Sequence, residues 1–304
     1  MKSRLRDSRL SAVESFAAAP ERGRPFIKMH GLQNHFVLVD GRRYPYLPQA
    51  GEVNRICDVR TGVGAEQLLI VERPTTAGAA AGAYAFMRIF NVDGMEVGAC
   101  GNATRCFGWL MLEETGTDSI LLETAVGPIR CRRLGDWHVS VEMGGITTDW
   151  TRIPLARNVD TLHVPVTNGP LIDGVALNIG NPHIVYFVDD LRAMDVATLA
   201  HPIQNNSMFP EKINVDVAQM VSPDVILLSV YERPGILTSA CGSGACVTLH
   251  AARLRGLTDR KSARVEMAAG SVEITLDDRD HTTMAGPIDY CFSGWLPSQE
   301  GRTA

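Results

Sequence analysis

Two stretches decide how this chain folds: Ala99-Cys100-Gly101-Asn102-Ala103-Thr104-Arg105-Cys106 and Ala240-Cys241-Gly242-Ser243-Gly244-Ala245-Cys246. Each places a Cys-Gly pair ahead of an apolar run, Phe107–Leu112 in one case and Val247–Leu254 in the other. Continuous apolar runs after Gly-containing turns predict buried helices that open just past each cysteine. Working outward, Asn91 precedes Cys100 by nine residues, and Glu232 precedes Cys241 by the same nine. Both follow predicted strands, Tyr84–Phe90 and Val225–Tyr231. Further upstream, Asn34 and Asn181 each sit in a turn followed by a strand ending in Val-Asp, at Val39-Asp40 and Val188-Asp189. Strands are also predicted at Phe26–Met29, Phe36–Asp40, Leu121–Thr124, Ile129–Arg133 and His138–Met143. Their second-half counterparts are Val175–Ile179, Ile184–Val188, Arg264–Met267 and Val272–Leu276. An internal duplication accounts for the shared order and spacing. It predicts two α+β domains related by pseudo-symmetry, with a cleft between them.

Composition fits that plan. A chain of 304 residues holds about two domains, and 45% hydrophobic with 21% charged residues is ordinary for a globular enzyme. A net charge of −5 argues against nucleic acid as a partner. No apolar run reaches the ~18 residues that span a bilayer, so no membrane partner is expected. Seven cysteines, an odd count in a long chain, argue against a disulfide framework and for a reducing cytoplasm. Residues 1–24 mix Arg, Ser and Ala without apolar periodicity and read as a disordered tail. A transit peptide is disfavoured by Asp7, Glu14 and Glu21.

The chemistry follows from where the two cysteines fall. A thiol at a helix N-terminus feels the positive end of the helix dipole, which is expected to lower its pKa. The free N–H groups beyond it form an anion cradle. Two such units facing each other would hold one carboxylate with a thiol on each side of its α-carbon. Epimerisation without a cofactor needs this: one group removes a weakly acidic α-proton while another delivers a proton to the opposite face. Other readings fit less well. Cys57, Cys106, Cys131, Cys246 and Cys291 read as buried structural residues. Zinc ligation is disfavoured because the paired cysteines lack ligand-knuckle spacing and no His-Glu-x-x-His occurs, so no metal is expected. A single Cys nucleophile would not explain two equivalent motifs. Pyridoxal chemistry would have to draw on one of four lysines, Lys2, Lys28, Lys212 or Lys261.

From about Phe26 to Leu296 the chain resembles the diaminopimelate epimerase family. The matching pieces occur in order: Lys28-Met29-His30-Gly31, Gly64–Leu69, Phe90-Asn91-Val92-Asp93-Gly94, Cys100-Gly101-Asn102, Gly180-Asn181-Pro182-His183, Ile213-Asn214-Val215, Tyr231-Glu232-Arg233 and Ala240–Gly244. The resemblance implies an isomerase that interconverts LL- and meso-diaminopimelate in lysine and peptidoglycan precursor synthesis, without a cofactor and as a homodimer. It implies Cys100 and Cys241 as the proton-transfer groups, with Gly101, Asn102, Gly242 and Ser243 holding the carboxylate at the reacting centre. Asn34, Gln67, Asn91, Asn181, Asn214, Glu232 and Arg233 would line the substrate pocket, and His183 and Glu232 would support the thiols. The implied fold is a curved, mostly antiparallel sheet around a central helix in each half. One half spans 25–143, completed by a C-terminal strand near 287–297, and the other spans 144–286. Three positions depart from the family pattern: Gln33 stands where a Gly is usual, His35 where an acid is usual, and Glu66 where an Asp is usual. They bear on substrate identity. The alternatives are a related racemase of another amino acid, such as histidine, and a binding protein without catalysis. Paired thiols speak against the second, because binding alone needs none.

Overall fold

A computed structural model describes residues 13–20, 23–98 and 100–297. Its elements run β1 Arg24–Gly31, β2 Asn34–Asp40, α1 Ala50–Cys57, β3 Gln67–Glu72, α2 Thr76–Ala80, β4 Ala85–Asn91, β5 Glu96–Val97, α3 Gly101–Thr115, β6 Ser119–Thr124, β7 Gly127–Gly135 and β8 His138–Gly145. They continue β9 Val175–Asn178, β10 Pro182–Phe187, α4 Val196–Gln204, β11 Asn214–Ser222, β12 Val225–Glu232, β13 Ile236–Thr238, α5 Gly242–Leu254, β14 Ser262–Met267, β15 Gly270–Leu276, β16 His281–Pro287 and β17 Asp289–Leu296. The chain divides into two compact units, Met1–Val141 with Pro287–Ala304, and Glu142–Gly286.

In the first unit β1 lies antiparallel between β2 and β17. β2 pairs with β3 in parallel from Phe36↔Gln67, β3 with β4 antiparallel from Gln67↔Asn91, and β4 with β6 in parallel. The second unit repeats the pattern. β9 and β10 are antiparallel, β10 and β11 parallel from His183↔Asn214, β11 and β12 antiparallel from Val215↔Tyr231, and β12 and β14 parallel. The duplication read from spacing is therefore a duplication of pairing and register, and each half is α+β with mixed strand directions.

The central helices explain their own sequences. From Asn102 to Leu112 every residue of α3 is buried, and from Gly244 to Ala252 every residue of α5 is. A helix surrounded by sheet has no solvent face, so its sequence shows a continuous apolar run and not a stripe. Gly108 lets α3 approach β7: a Cβ there would stand 2.6 Å from Cys131 Sγ. α3 ends at Gly116, whose φ of 66° is the left-handed conformation of a helix C-terminus.

Two expectations change. Residues 13–16 are helical and Phe16 is 2% exposed, so the expected disorder does not hold there; residues 1–12, 21 and 22 lie outside the described residues. Phe16 supplies an apolar anchor that a compositional reading of a basic, Ser-containing segment passes over. Cys57, Cys106, Cys131 and Cys246 are buried as expected, but Cys291 is exposed. It lies at a register slip of β17 against β1, where Phe292 pairs with Lys28 and Tyr290 with Met29, leaving Cys291 as the extra residue.

Candidate active site

Each half places its cysteine by the same construction. Cys100 is the residue before α3, with φ −150° and ψ 115°, and Cys241 precedes α5 with φ −133° and ψ 112°. Cys100 and Cys241 are the N-cap residues of their helices by position. The first turns of both helices, at Gly101-Asn102 and Gly242-Ser243, present backbone N–H groups that have no partner within the helix, a geometry suited to an anion.

In the first half, the turn between β1 and β2 delivers Asn34. Its Oδ1 accepts from Cys100 Sγ at 3.9 Å and from Asn102 Nδ2 at 3.4 Å. The turn residues Leu32 and Gln33 have φ of 52° and 61°, and Gly31 pairs with Asn34. This is the two-residue hairpin geometry that normally selects Asn-Gly. Two side-chain-bearing residues hold it here, at a cost of about 1 kcal/mol or more each. Gln67 opens β3 opposite Asn91, and its Nε2 donates to Asn91 Oδ1 at 2.9 Å. Gln67 Oε1 and Asn102 Oδ1 are buried without a hydrogen-bond partner among the described residues. Two orphaned acceptors cost about 1–3 kcal/mol each unless a ligand donates to them.

The second half repeats one of these contacts and adds a relay. Asn181, the counterpart of Asn34, donates from Nδ2 to Ser243 Oγ at 3.2 Å, as Asn102 and Asn34 pair in the first half. His183 is fully buried. Its Nδ1 lies 2.6 Å from Asp216 Oδ2, and its Nε2 lies 3.0 Å from Ser243 Oγ and 3.2 Å from Asn214 Nδ2. Ser243 Oγ is in turn 3.4 Å from Cys241 Sγ. With Nδ1–H donated to Asp216, Nε2 accepts from the Ser243 hydroxyl, and that oxygen accepts from the Cys241 thiol. When Cys241 becomes thiolate, the Ser243 hydroxyl can rotate and donate to sulfur, while Asn214 keeps Nε2 satisfied. Asp216 is absent from the sequence expectation. The available signal is an acid within the largely apolar stretch Ile213–Ala218 that leads into β11, fully buried here. Gly244 accommodates it, since a Cβ there would stand 2.7 Å from Asp216 Oδ1.

One electrostatic expectation is reversed. Burial pushes the Cys241 thiol well above its usual pKa, and the nearby Glu232 and Asp216 carboxylates push it further. The Ser243 hydroxyl and the Gly244 N–H pull the other way without prevailing. Desolvation at this helix end outweighs the dipole, so Cys241 is held as an acid.

At the end of β12, Glu232 accepts from Thr238 Oγ1 at 2.8 Å. Arg233 donates its backbone N–H to Asn214 Oδ1 at 2.9 Å and its guanidinium to the Glu211 carbonyl at 3.2 Å. Burial lowers its pKa, with the charge of the Glu211 carboxylate acting the other way. A half-buried guanidinium with spare donors is suited to a ligand carboxylate. Contacts join Asn34, Cys100 and Asn102 in the first half, with Gln67 and Asn91 as a separate pair there, and join Asn181, His183, Asn214, Arg233, Cys241 and Ser243 in the second.

Fold and geometry together define a class: a duplicated α+β chain with a cysteine at the entrance to the central helix of each half. The family model described as diaminopimelate epimerase matches residues 26–148 and 175–291. The diaminopimelate epimerase of Rhodospirillum centenum is 46% identical over 273 residues, covering 90% of this chain and 92% of that protein. That of Acidiphilium cryptum is 42% identical, covering 90% and 96%. The chain belongs to the diaminopimelate epimerase family. Among solved structures, a probable proline racemase from Agrobacterium radiobacter has a TM-score of 0.65 at 13% identity, covering 91% of this chain and 94% of that one. A Bacillus anthracis phenazine biosynthesis protein has a TM-score of 0.60 at 16% identity, covering 89% and 98%. These share the fold.

Proposed function

We propose that this chain epimerises LL-diaminopimelate to meso-diaminopimelate by moving one α-proton, with Cys100 and Cys241 as the two proton-transfer groups. Family membership and the relatives' names support the reaction. The single observation that supports the mechanism is the repeated construction: a cysteine immediately before the helix, the helix N-terminus beyond it, and a turn asparagine reaching the second helical residue, in both halves. A base and an acid must act on opposite faces of the α-carbon, and a repeated unit supplies one group for each. Gly101, Asn102, Gly242 and Ser243 hold the reacting carboxylate, whose charge grows as the α-proton leaves. In the direction where Cys100 as thiolate takes the proton, Cys241 gives its own, and Ser243 turns toward the new thiolate.

The remaining polar residues recognise the rest of a two-headed substrate. Arg233 takes a carboxylate, while Gln67 Oε1 and Asn102 Oδ1 offer acceptors to ammonium hydrogens. Asn34, Asn91, Asn181, Asn214 and Glu232 position these groups. The reaction belongs to lysine and cell-wall precursor synthesis, and with it we place the protein in the cytoplasm as a homodimer. No helix among the described residues is long and apolar enough to cross a membrane. The deciding experiment incubates the protein with LL-diaminopimelate in deuterated water. Meso product carrying one α-deuterium is expected. Absence of product, or product that keeps its original α-hydrogen, would sink the reading.

A further inference from the structure

The β1–β2–β17 edge of the first unit carries a cluster that the epimerase reading leaves unused. His30 on β1 pairs directly with His35 on β2 on one side and with Asp289 on β17 on the other. Beside Asp289, the bulge in β17 sets Cys291 apart from the regular register. One ligand atom from each of His30, His35 and Cys291 lies within 4.8 Å of the others. The two imidazole centroids are 5.1 Å apart. Among the described residues His30 Nδ1 is buried without a hydrogen-bond partner, while His30 Nε2 is 3.9 Å from Asp289 and His35 Nδ1 is 3.7 Å from Glu66, both beyond hydrogen-bond distance.

We infer that His30, His35 and Cys291 form a binding site for a zinc-type divalent cation, separate from the two catalytic cysteines. Two imidazoles and a thiolate are a donor set that selects zinc over magnesium or calcium. Tetrahedral zinc brings its ligand atoms to about 3.5 Å of one another, so side-chain rotation of about 1 Å closes the site. The fourth position falls to water or to the Asp289 or Glu66 carboxylate, which otherwise orient the imidazoles. Chain spacing could not reveal this cluster, because its members come from three strands, two of them separated by most of the sequence. The cation has a mechanical role. His30 and His35 are the second pair behind the strained Leu32-Gln33 turn, next to Gly31 and Asn34, so a metal across them clamps the hairpin tip that carries Asn34. The site stands on geometry alone and does not depend on the enzymatic reading.

The test uses the full chain with Cys100→Ala and Cys241→Ala, which removes the two thiols of the candidate active site and leaves Cys57, Cys106, Cys131 and Cys246 buried, and cobalt(II) as a spectroscopic probe displaced by zinc. The expected result is saturation at one ion per chain, with a thiolate-to-cobalt charge-transfer band and the strong visible bands of tetrahedral cobalt. Adding Cys291→Ser should abolish the charge-transfer band and weaken binding at least tenfold, and adding His35→Ala should weaken it similarly. Zinc should raise the melting temperature of the parent and not that of the Cys291→Ser form. Cobalt bound without a thiolate band, a band that survives Cys291→Ser, or no binding at all would overturn the site. Cys291 is exposed, so its serine variant keeps the fold and the comparison stays decisive.

Discussion

At the scale of single residues, the chemistry turns on how protons are held around two sulfurs. If Cys100 and Cys241 serve opposite faces of one carbon, Cys100→Ala and Cys241→Ala should each lower turnover by at least about 10³-fold with circular dichroism unchanged. Near-native turnover in either variant would remove the paired mechanism. Asp216 makes a finer case. It touches no substrate in this reading; it is a positioning residue that fixes the His183 tautomer, and His183 sets the Ser243 hydroxyl. Asp216→Asn places an amide where a carboxylate accepts, which favours the tautomer with hydrogen on Nε2 and turns the Ser243 hydroxyl toward Cys241. Thiolate is then favoured over thiol, so kcat should drop about 10–100-fold with KM little changed, and the pH profile should move to lower pH. A purely structural role would lower the melting temperature and leave the profile where it was. Sequence alone left this residue out for a physical reason. The alternation Val215, Val217 against Asn214, Asp216 looks like a half-exposed strand with its polar side in water, whereas the Asn214–Ala218 part of β11 is buried on both faces.

At the scale of elements, continuous apolar runs and turn residues were the legible features. Phe107–Leu112 and Val247–Leu254 lie within α3 and α5, and the strands beside the Cys-Gly turns lie where alternation put them. The type of the β1–β2 turn was not legible, because Leu32 and Gln33 carry none of the Gly or Asn signal that left-handed conformations usually leave. β3 is not legible as a strand because Leu68-Leu69-Ile70-Val71, buried on both faces between parallel β2 and antiparallel β4, lacks the period-two signature of a surface strand. The close contact of α3 with β7 yields a stability prediction. Gly108→Ala gains about 1 kcal/mol of helix propensity but drives a methyl to 2.6 Å from Cys131 Sγ and 2.8 Å from Cys131 Cβ. Overpacking of this kind costs about 1–3 kcal/mol, more than the propensity returns where the surroundings are fully buried. Urea unfolding should show a net loss of about 1 kcal/mol, partly recovered by Cys131→Gly. A stabilised Gly108→Ala variant would mean that the sheet yields more readily than the burial of α3 indicates.

At the scale of the whole molecule, the distribution of buried thiols and phenols makes stability depend on pH in a definite direction. Burial pushes Cys57 up to about 11, with the Glu66 carboxylate adding to it. Burial likewise raises Cys106, Cys241, Tyr46 and Tyr186, and the Tyr46 phenol is held further by its hydrogen bond to Glu52. In the unfolded chain thiols ionise near pH ~8.5 and phenols near ~10. Above those values the unfolded state has released protons that the folded state still holds. The unfolded state then binds fewer protons, so the free energy of unfolding falls as pH rises, by at most about 1.4 kcal/mol per pH unit for each such group. For Cys57 the stabilisation is complete below the unfolded thiol pKa and is lost as pH climbs toward about 11. Cys241 ties the same trend to the candidate active site, because the burial that favours its thiol form there also makes its ionisation more costly in the folded than in the unfolded chain. Urea midpoints measured from about pH 8 to about pH 10.5 should therefore decline steadily, and Cys57→Ala should decline less steeply than the parent. A midpoint that stays constant or rises across that range would mean these groups titrate as freely in the folded chain as in the unfolded one, against the burial of Cys57, Cys106 and Cys241.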